Sequence, residues 1–396
     1  MNKARKKGET FTHRILRLSF AGWGAKIGLA WVALLALLAV FAPFIANSMP
    51  LLASENGKIT APVLHFLSIE DIVVLAAFFI LVTLFLSPLR QSLKTLLLTF
   101  VILIVGVTII SKQLIVEKQN IVYTEFREQI AANKYDWVVM PPIPYAPRDY
   151  LRDARRPPLQ APLADKQYLH WMGTEENGGD VLSRMIHASR IALGIGFLAT
   201  GIAMVIGVIL GGLMGYFSGV VDILGMRLVE IFESIPTLFL LLTFVAFFGR
   251  SIYIMMVIIG LTSWSGYARY IRAEFLRLRK QDFVQATIAS GLPLRSILFR
   301  HMLPNGVAPL LVGVSFGVAS AILAEATLSF LGLGLVDSPS WGQMLNQAVK
   351  SSVFNWWMAV FPGGAIFMTV FAYNLMGEAL RDAIDPQLAK KAGVVT

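Results

Sequence analysis

Apolar residues in this chain run in long blocks instead of alternating. Uncharged or nearly uncharged stretches recur near 27–49, 72–88, 95–111, 191–214, 229–249, 252–270, 307–331 and 355–377. At about 20 residues per crossing, the pattern predicts about eight transmembrane helices. The second and third stretches are short, and Pro88, Arg90 and Lys94 between them form a tight turn. They therefore cross as a pair or make one buried hairpin, and the sidedness of everything downstream is the same either way. The expected class is all-α, a polytopic membrane helix bundle.

Composition agrees. With 56% hydrophobic and 15% charged residues among 396 and a mean hydropathy of +0.67, the chain is too apolar for a soluble domain, where those shares are about 45–50% and 25%. The net charge of +10 would suggest nucleic acid in a soluble protein, but here the basic residues sit in short segments between apolar runs and set orientation instead. The absence of cysteine excludes disulfides and thiolate metal sites. The basic start, MNKARKKGETFTHRILRLSF, leads into an apolar run longer than a signal-peptide core, which reads as an uncleaved first span.

Lys and Arg in the short loops place both termini on the cytoplasmic side. Lys3 to Arg17, Arg90, Lys94, Arg227 and the cluster from Arg269 to Arg300 all fall there. The organisation that follows is a basic N-terminus (1–26), a first helix plus an inserted hairpin (27–111), an external Pro-rich region (112–190), a transmembrane core (191–377) with a cytoplasmic loop at 273–305, and a cytoplasmic tail (378–396). The external MPPIPYAPRDYLRDARRPPLQAPL favours extended backbone and suits a small lobe or cover. In the fourth stretch, Gly207, Gly211, Gly215 and Gly219 share one helical face, which lets two backbones approach closely; packing within the chain or a dimer seam would each use it.

The cytoplasmic QDFVQATIASGLPLRSILFRHMLPN, residues 281–305, is a polar interruption between two spans. Asp282 caps a first short helix, Gly291 ends it in the left-handed conformation, and Pro293 starts a second. Leu294, Ile297, Leu298 and His301 share a face, and Pro304 disfavours continuation at Leu303. The expectation is two stubs around a rigid elbow, with an apolar stripe covered either by a partner protein or by lipid headgroups.

That segment resembles the EAA…G…LP coupling loop of ABC importer permeases, with Gln285, Ala286, Gly291, Leu303 and Pro304 at the loop's spacing. GLTSWSGYARYIRAEFLRLRKQDFVQA, AEATLSFLGLGLVDSPSWGQML, NWWMAVFPGGAIFMTVFAYNLMGEALRDAIDPQL and GTEENGGDVLSRMIHASRIAL resemble the dipeptide, oligopeptide and nickel branch of that family, as its second, C-type permease, over residues 173–396. The resemblance implies a five- to six-helix core that transports peptides or related small solutes. It implies docking of two ATPase subunits through Asp282, Gln285, Ala286, Gly291, Leu294, Arg295, Ile297, Leu298, Leu303 and Pro304. It also implies a second homologous permease, a periplasmic or extracellular substrate-binding protein meeting Gly173, Thr174, Glu175, Asp180 and Trp341, and an inner-membrane location. ATP and Mg would be bound by the ATPase subunits and no cofactor by this chain. Departures from the family's pattern are Gln285 for a glutamate, Thr287 for an alanine, and Glu175 and Gly179 for an Asp and an Arg. PPIPY resembles a subgroup linked to peptide-like cargo.

Glu230, Glu233 and Glu325 lie in or at the ends of apolar stretches, where a charge is costly and faces a bundle interior or water. Glu233 and Glu325 are candidates to border the pathway and favour cationic cargo; hydrogen bonding to neighbouring helices is the alternative. No phosphate-loop motif occurs, the five histidines lack metal-ligand spacing, and no Ser/His/Asp set is suggested by any nucleophile elbow. A membrane enzyme using the two glutamates, or a carrier working without an ATPase, are the rival classes. Trp171, Trp341, Trp356 and Trp357 sit near predicted span ends, as interfacial belts do.

Overall fold

The computed structural model describes residues 22–86, 123–150, 158–165, 168–335 and 338–384. The basic start, the predicted span at 95–111 with its turn at Pro88, and the last residues of the tail lie outside the described residues. Among the described residues, helices α1 (Trp23–Ile45), α5 (Val181–Phe217), α11 (Leu303–Phe330) and α13 (Trp356–Ile384) supply four segments long and apolar enough to cross a bilayer. A fifth comes from α6 (Gly219–Ser234) and α7 (Thr237–Phe248), which meet that test together but bend by 82°. The expected span at 229–249 is thus broken in two: the ring of Pro236 has no N–H to continue the ladder, and the chain turns there. The predicted stretch at 72–88 is helical, as α3 (Ile69–Leu86). Helix α8 (Ile252–Arg279) runs 28 residues, about 42 Å. It outlasts the expected 252–270 because Arg269, Arg272, Glu274, Arg277 and Arg279 continue the helix as a charged end beyond the apolar part.

Helix α5 begins ten residues before the expected core boundary and packs along α8. A Cβ on Gly211 would lie 2.3 Å from the Ala268 carbonyl oxygen, and Cβ atoms on Gly207 and Gly215 would lie 2.4 Å from Tyr267 Cβ and 2.6 Å from the Arg272 oxygen. The glycine row is therefore an internal seam. Gly219 leaves it, since it opens α6 with positive φ and nothing nearby. Around this pair, Leu35, Ala192, Val318, Ile322, Ile366 and Tyr373 form one buried cluster shared by α1, α5, α11 and α13.

The chain between α1 and α5 adds an element absent from the all-α expectation. A small antiparallel sheet has the order β2-β1-β3, with β1 (Leu52–Glu55), β2 (Lys58–Thr60) and β3 (Trp137–Val139). It is accompanied by α2 (Pro62–His65) and α4 (Tyr123–Ala131). The Pro-rich stretch binds it to the bundle: Ile143 and Tyr145 pack against Ala42, Ala46 and Ile186. Arg190 of α5 ties three elements together, pairing with Asp71 of α3 and donating to the Ala39 and Val40 carbonyls of α1. The carbonyls of α1, 150 and 151 residues away, are what the sequence did not show.

Candidate functional site

The elbow begins where α8 ends. Helix α9 (Asp282–Ala289) takes Gln281 as its N-cap, and Asp282 is its first residue, placed to favour the positive helix end but not the capping group expected. Gly291, at φ +68, closes α9. Its N–H donates to the Ile288 carbonyl, and the Leu292 N–H to that of Thr287. This paired closure needs a left-handed residue, which glycine adopts without a Cβ penalty.

The second half differs from the expectation of a separate stub. From α10 (Leu294–Ser296) the chain passes through a π-helical turn, Ile297–Met302, directly into α11. Proline at 304 is accommodated because the wider turn shifts the hydrogen-bond register ahead of its ring. Asn305 Nδ2 donates to the His301 carbonyl at 2.7 Å.

The apolar stripe is covered, but by this chain. Val284, Ile297, Leu298 and Met302 are buried in one cluster with Ile271, Phe275, Leu278 and Leu310. Ile297 and Leu298 are therefore corrected from docking contacts to a foot that roots the elbow in α8 and α11, each such side chain being worth about 1.5–3 kcal/mol. Leu294 and Leu303 are half-buried against the same cluster. What the elbow presents outward is Asp282, Phe283, Gln285, Ala286, Gly291, Leu292, Arg295 and Pro304. Gln285 turns its amide back, donating Nε2–H to the Arg279 carbonyl at 2.7 Å. A carboxylate has no hydrogen to donate there, so the departure from glutamate supplies a bond within the elbow.

Arg279 also reaches the corner between α5 and α6. Its Nη1 donates to Ser218 Oγ at 2.8 Å, and its guanidinium lies 5.6 Å from the Tyr216 ring centre. Ser218 holds φ +52, a conformation uncommon for a residue with a Cβ. Arg272 grips Asp222 of α6 through two hydrogen bonds. Elbow, α8 and the start of α6 are thus one connected unit.

The two candidate pathway acids are both engaged. Glu233 pairs with Arg269 of α8, and Glu230 with Arg227. Glu325 is 3% exposed and accepts hydrogen bonds from Ser329 and Ser340. It binds the end of α11 to the start of α12 (Trp341–Lys350). The pathway reading of Glu325 is corrected by that burial, and neither group is a free acid.

The residues expected to meet an outside protein are buried as well. Thr174, Glu175 and Asp180 are each 1% exposed and Trp341 2%. They form a latch at the start of α5. Asp180 caps the helix through the Ser183 N–H at 2.7 Å and holds His170 Nδ1 at 2.8 Å. Thr174 exchanges bonds with Gln160 and receives the Trp357 indole N–H at 3.2 Å, with Gly173 packed between Gln160 and Trp357. Glu175 faces Arg184 at 3.7 Å, and Trp341 donates to the Met185 carbonyl. The correction has a physical reason: a helix start buried among other elements leaves N–H groups that side chains must satisfy. Trp341 and Trp357 serve this latch and not an interfacial belt, whereas Trp171 and Trp356 are exposed.

The model for binding-protein-dependent transport system inner membrane components matches residues 207–390. An oligopeptide transport system permease protein, OppC of Haemophilus influenzae, is 37% identical over 219 residues, which are 55% of this chain and 70% of that protein. The chain belongs to this family: it is an inner-membrane permease subunit of an ABC importer. A dipeptide transport system permease, DppC of Bacillus subtilis, is 34% identical over 62% of this chain and 76% of its own length. The glutathione transport system permease GsiD of Pectobacterium atrosepticum is 37% identical over 55% and 73%.

Three features of the permease escaped sequence reasoning. Phe283 and Leu292 are the large apolar side chains left exposed on α9 and its exit, and the only signal for them was their position off the buried stripe. The Arg279–Ser218 bond joins residues 61 apart, which no local pattern announces. The Arg190 anchor was legible only as a basic residue at a span end.

Proposed function

We propose that the permease forms half of a translocation pathway for peptides or related small solutes, together with a second related permease, and that ATPase subunits drive it through the elbow. The observation that carries this reading is the division within the elbow: exposed Asp282, Phe283, Ala286 and Leu292 stand on a foot of Val284, Ile297, Leu298 and Met302 buried in the bundle. A load on the exposed face reaches α8 and α11 without bending, because the foot is part of their packed core. Through Arg279 and Arg272 it reaches α6 and the bent α6–α7 pair as well. Movement of the docked elbow then shifts these helices as rigid bodies between inward- and outward-open arrangements, the energy entering from nucleotide bound on another polypeptide.

In this reading the elbow end is cytoplasmic, both termini lie on that side, and the latch and sheet lie outside. A substrate-binding protein would meet the exposed neighbours of the latch, Trp171, Glu176 and Asn177, in place of the buried residues themselves. The chain has no cysteine, so single-cysteine crosslinking tests the docking cleanly. A Phe283→Cys variant in membranes is expected to crosslink to a co-expressed ATPase subunit and to lose uptake when crosslinked, while Val284→Cys stays unreactive. Crosslinks to lipid alone, with uptake persisting after deletion of the ATPase subunits, would falsify the reading.

A further inference from the structure

A cleft of about 100 Å³ opens between α5 and the π-helical turn. Val208, Ile209 and Gly212 form one wall, Phe299 and Leu303 the other, with Phe275 between. Gly212 deepens it, since a Cβ there would lie 3.1 Å from the Phe275 ring. Phe299 is 50% exposed, so this chain leaves the cleft's outer lip uncovered. Val205, Ile209 and Phe217 of the same membrane-spanning helix are exposed large side chains as well.

Arg295, Phe299 and Leu303 follow one another at spacings of four and therefore share a helix face. Arg295 is exposed and takes part in none of the ion pairs among the described residues; Arg300, next to Phe299, is exposed too. The depth matches. Val208 to Gly212 lie five to nine residues before the end of α5 at Phe217, roughly 8 to 14 Å into a hydrocarbon layer about 30 Å thick. One face thus runs from cation at the membrane surface to apolar cleft within one leaflet.

We infer that this cleft binds an anionic phospholipid of the leaflet in which α5 ends, its phosphate on Arg295 and one acyl chain laid along Phe299 and Leu303 against α5. The cation selects the headgroup charge. The aromatic lip and the gap at Gly212 receive a stretch of chain that a smooth helix surface would not hold. The inference rests on the membrane position of α5 and on no contact with an ATPase.

The test uses the permease purified with its partner subunits in detergent supplied with phosphatidylglycerol or phosphatidylethanolamine, with bound lipid counted by native mass spectrometry. Phosphatidylglycerol is expected to be retained over phosphatidylethanolamine, and Arg295→Gln to lower that retention about ten-fold. Lys58→Gln, an exposed cation on the small sheet far from the elbow in sequence, is expected to leave it unchanged. Equal retention of both lipids, no effect of Arg295→Gln, or displacement by inorganic phosphate would overturn the inference. A nitroxide on Phe299→Cys in bilayers gives a readout that does not depend on Arg295. Oxygen should reach it and a water-soluble nickel chelate should not; access by the chelate, or exclusion of both by a covering protein, would also overturn the site. Loss of the ATPase subunits during purification would count against the docking reading and leave these readouts intact.

Discussion

The elbow and the latch are both short, polar, glycine-containing stretches next to long helices, yet they use their polar residues in opposite ways. In the elbow the apolar residues turn inward and the polar, small and a few large apolar ones stay outside. The latch buries its polar residues: Asp180 caps α5 and holds His170, Thr174 receives the Trp357 indole N–H, and Glu175 faces Arg184 at 3.7 Å. A polar motif beside a span is therefore not by itself a contact surface. Where the backbone ends of a helix are buried, the motif is consumed in satisfying them.

The sharpest break of that contrast is Asp180→Ala. It removes the cap of α5 and leaves the buried His170 ring without its partner, an expected loss of about 2–4 kcal/mol in fold stability. Thermal unfolding of the detergent-solubilised permease would show it; unchanged stability would mean that the latch is a surface after all. Gly291→Val, by contrast, is expected to leave the bundle folded. It forces a β-branched residue to φ +68, a strain of about 1–3 kcal/mol, and should lower solute moved per ATP hydrolysed in reconstituted complexes.

A finer probe is Gln285→Glu, which deletes the donor to the Arg279 carbonyl and sets two oxygens against each other. The expected cost is about 0.5–1.5 kcal/mol, read as a smaller fall in the same coupling ratio. A rise would show that the charge serves docking better than the internal bond does. Smallest of all is Glu233→Gln. Its ion pair with Arg269 is partly exposed and worth about 0–1 kcal/mol. Because Arg269 already balances the charge, uptake of cationic and neutral peptides should change equally. A loss confined to cationic peptides would return Glu233 to the pathway.

Much of the bundle was legible because hydrophobic runs report what must avoid water, whatever the packing. The helix Val181–Phe217 encloses the predicted 191–214, and Trp23–Ile45 and Trp356–Ile384 overlap most of the predicted 27–49 and 355–377. Gly291 was legible too, as a left-handed closure is a local requirement. Hydrophobicity does not report straightness, so Pro236 marked a kink in the run but not the size of its 82° bend. Nor does periodicity say what covers a stripe. Ile297 and Leu298 have the pattern of a docking face and are buried within the chain, and the small sheet pairs strands more than seventy residues apart, Ala53 with Val138.

From residue order alone came the membrane as solvent, the helices that satisfy their own backbone within it, and the hinge glycine of the elbow, since each depends on composition or on neighbours a few positions away. Tertiary structure alone decided which polar groups are partners and which are surface. Asp180 with His170, Glu233 with Arg269 and Gln285 with the Arg279 carbonyl are satisfied by groups that only packing brings within hydrogen-bond distance, and a buried polar atom takes its meaning from that partner.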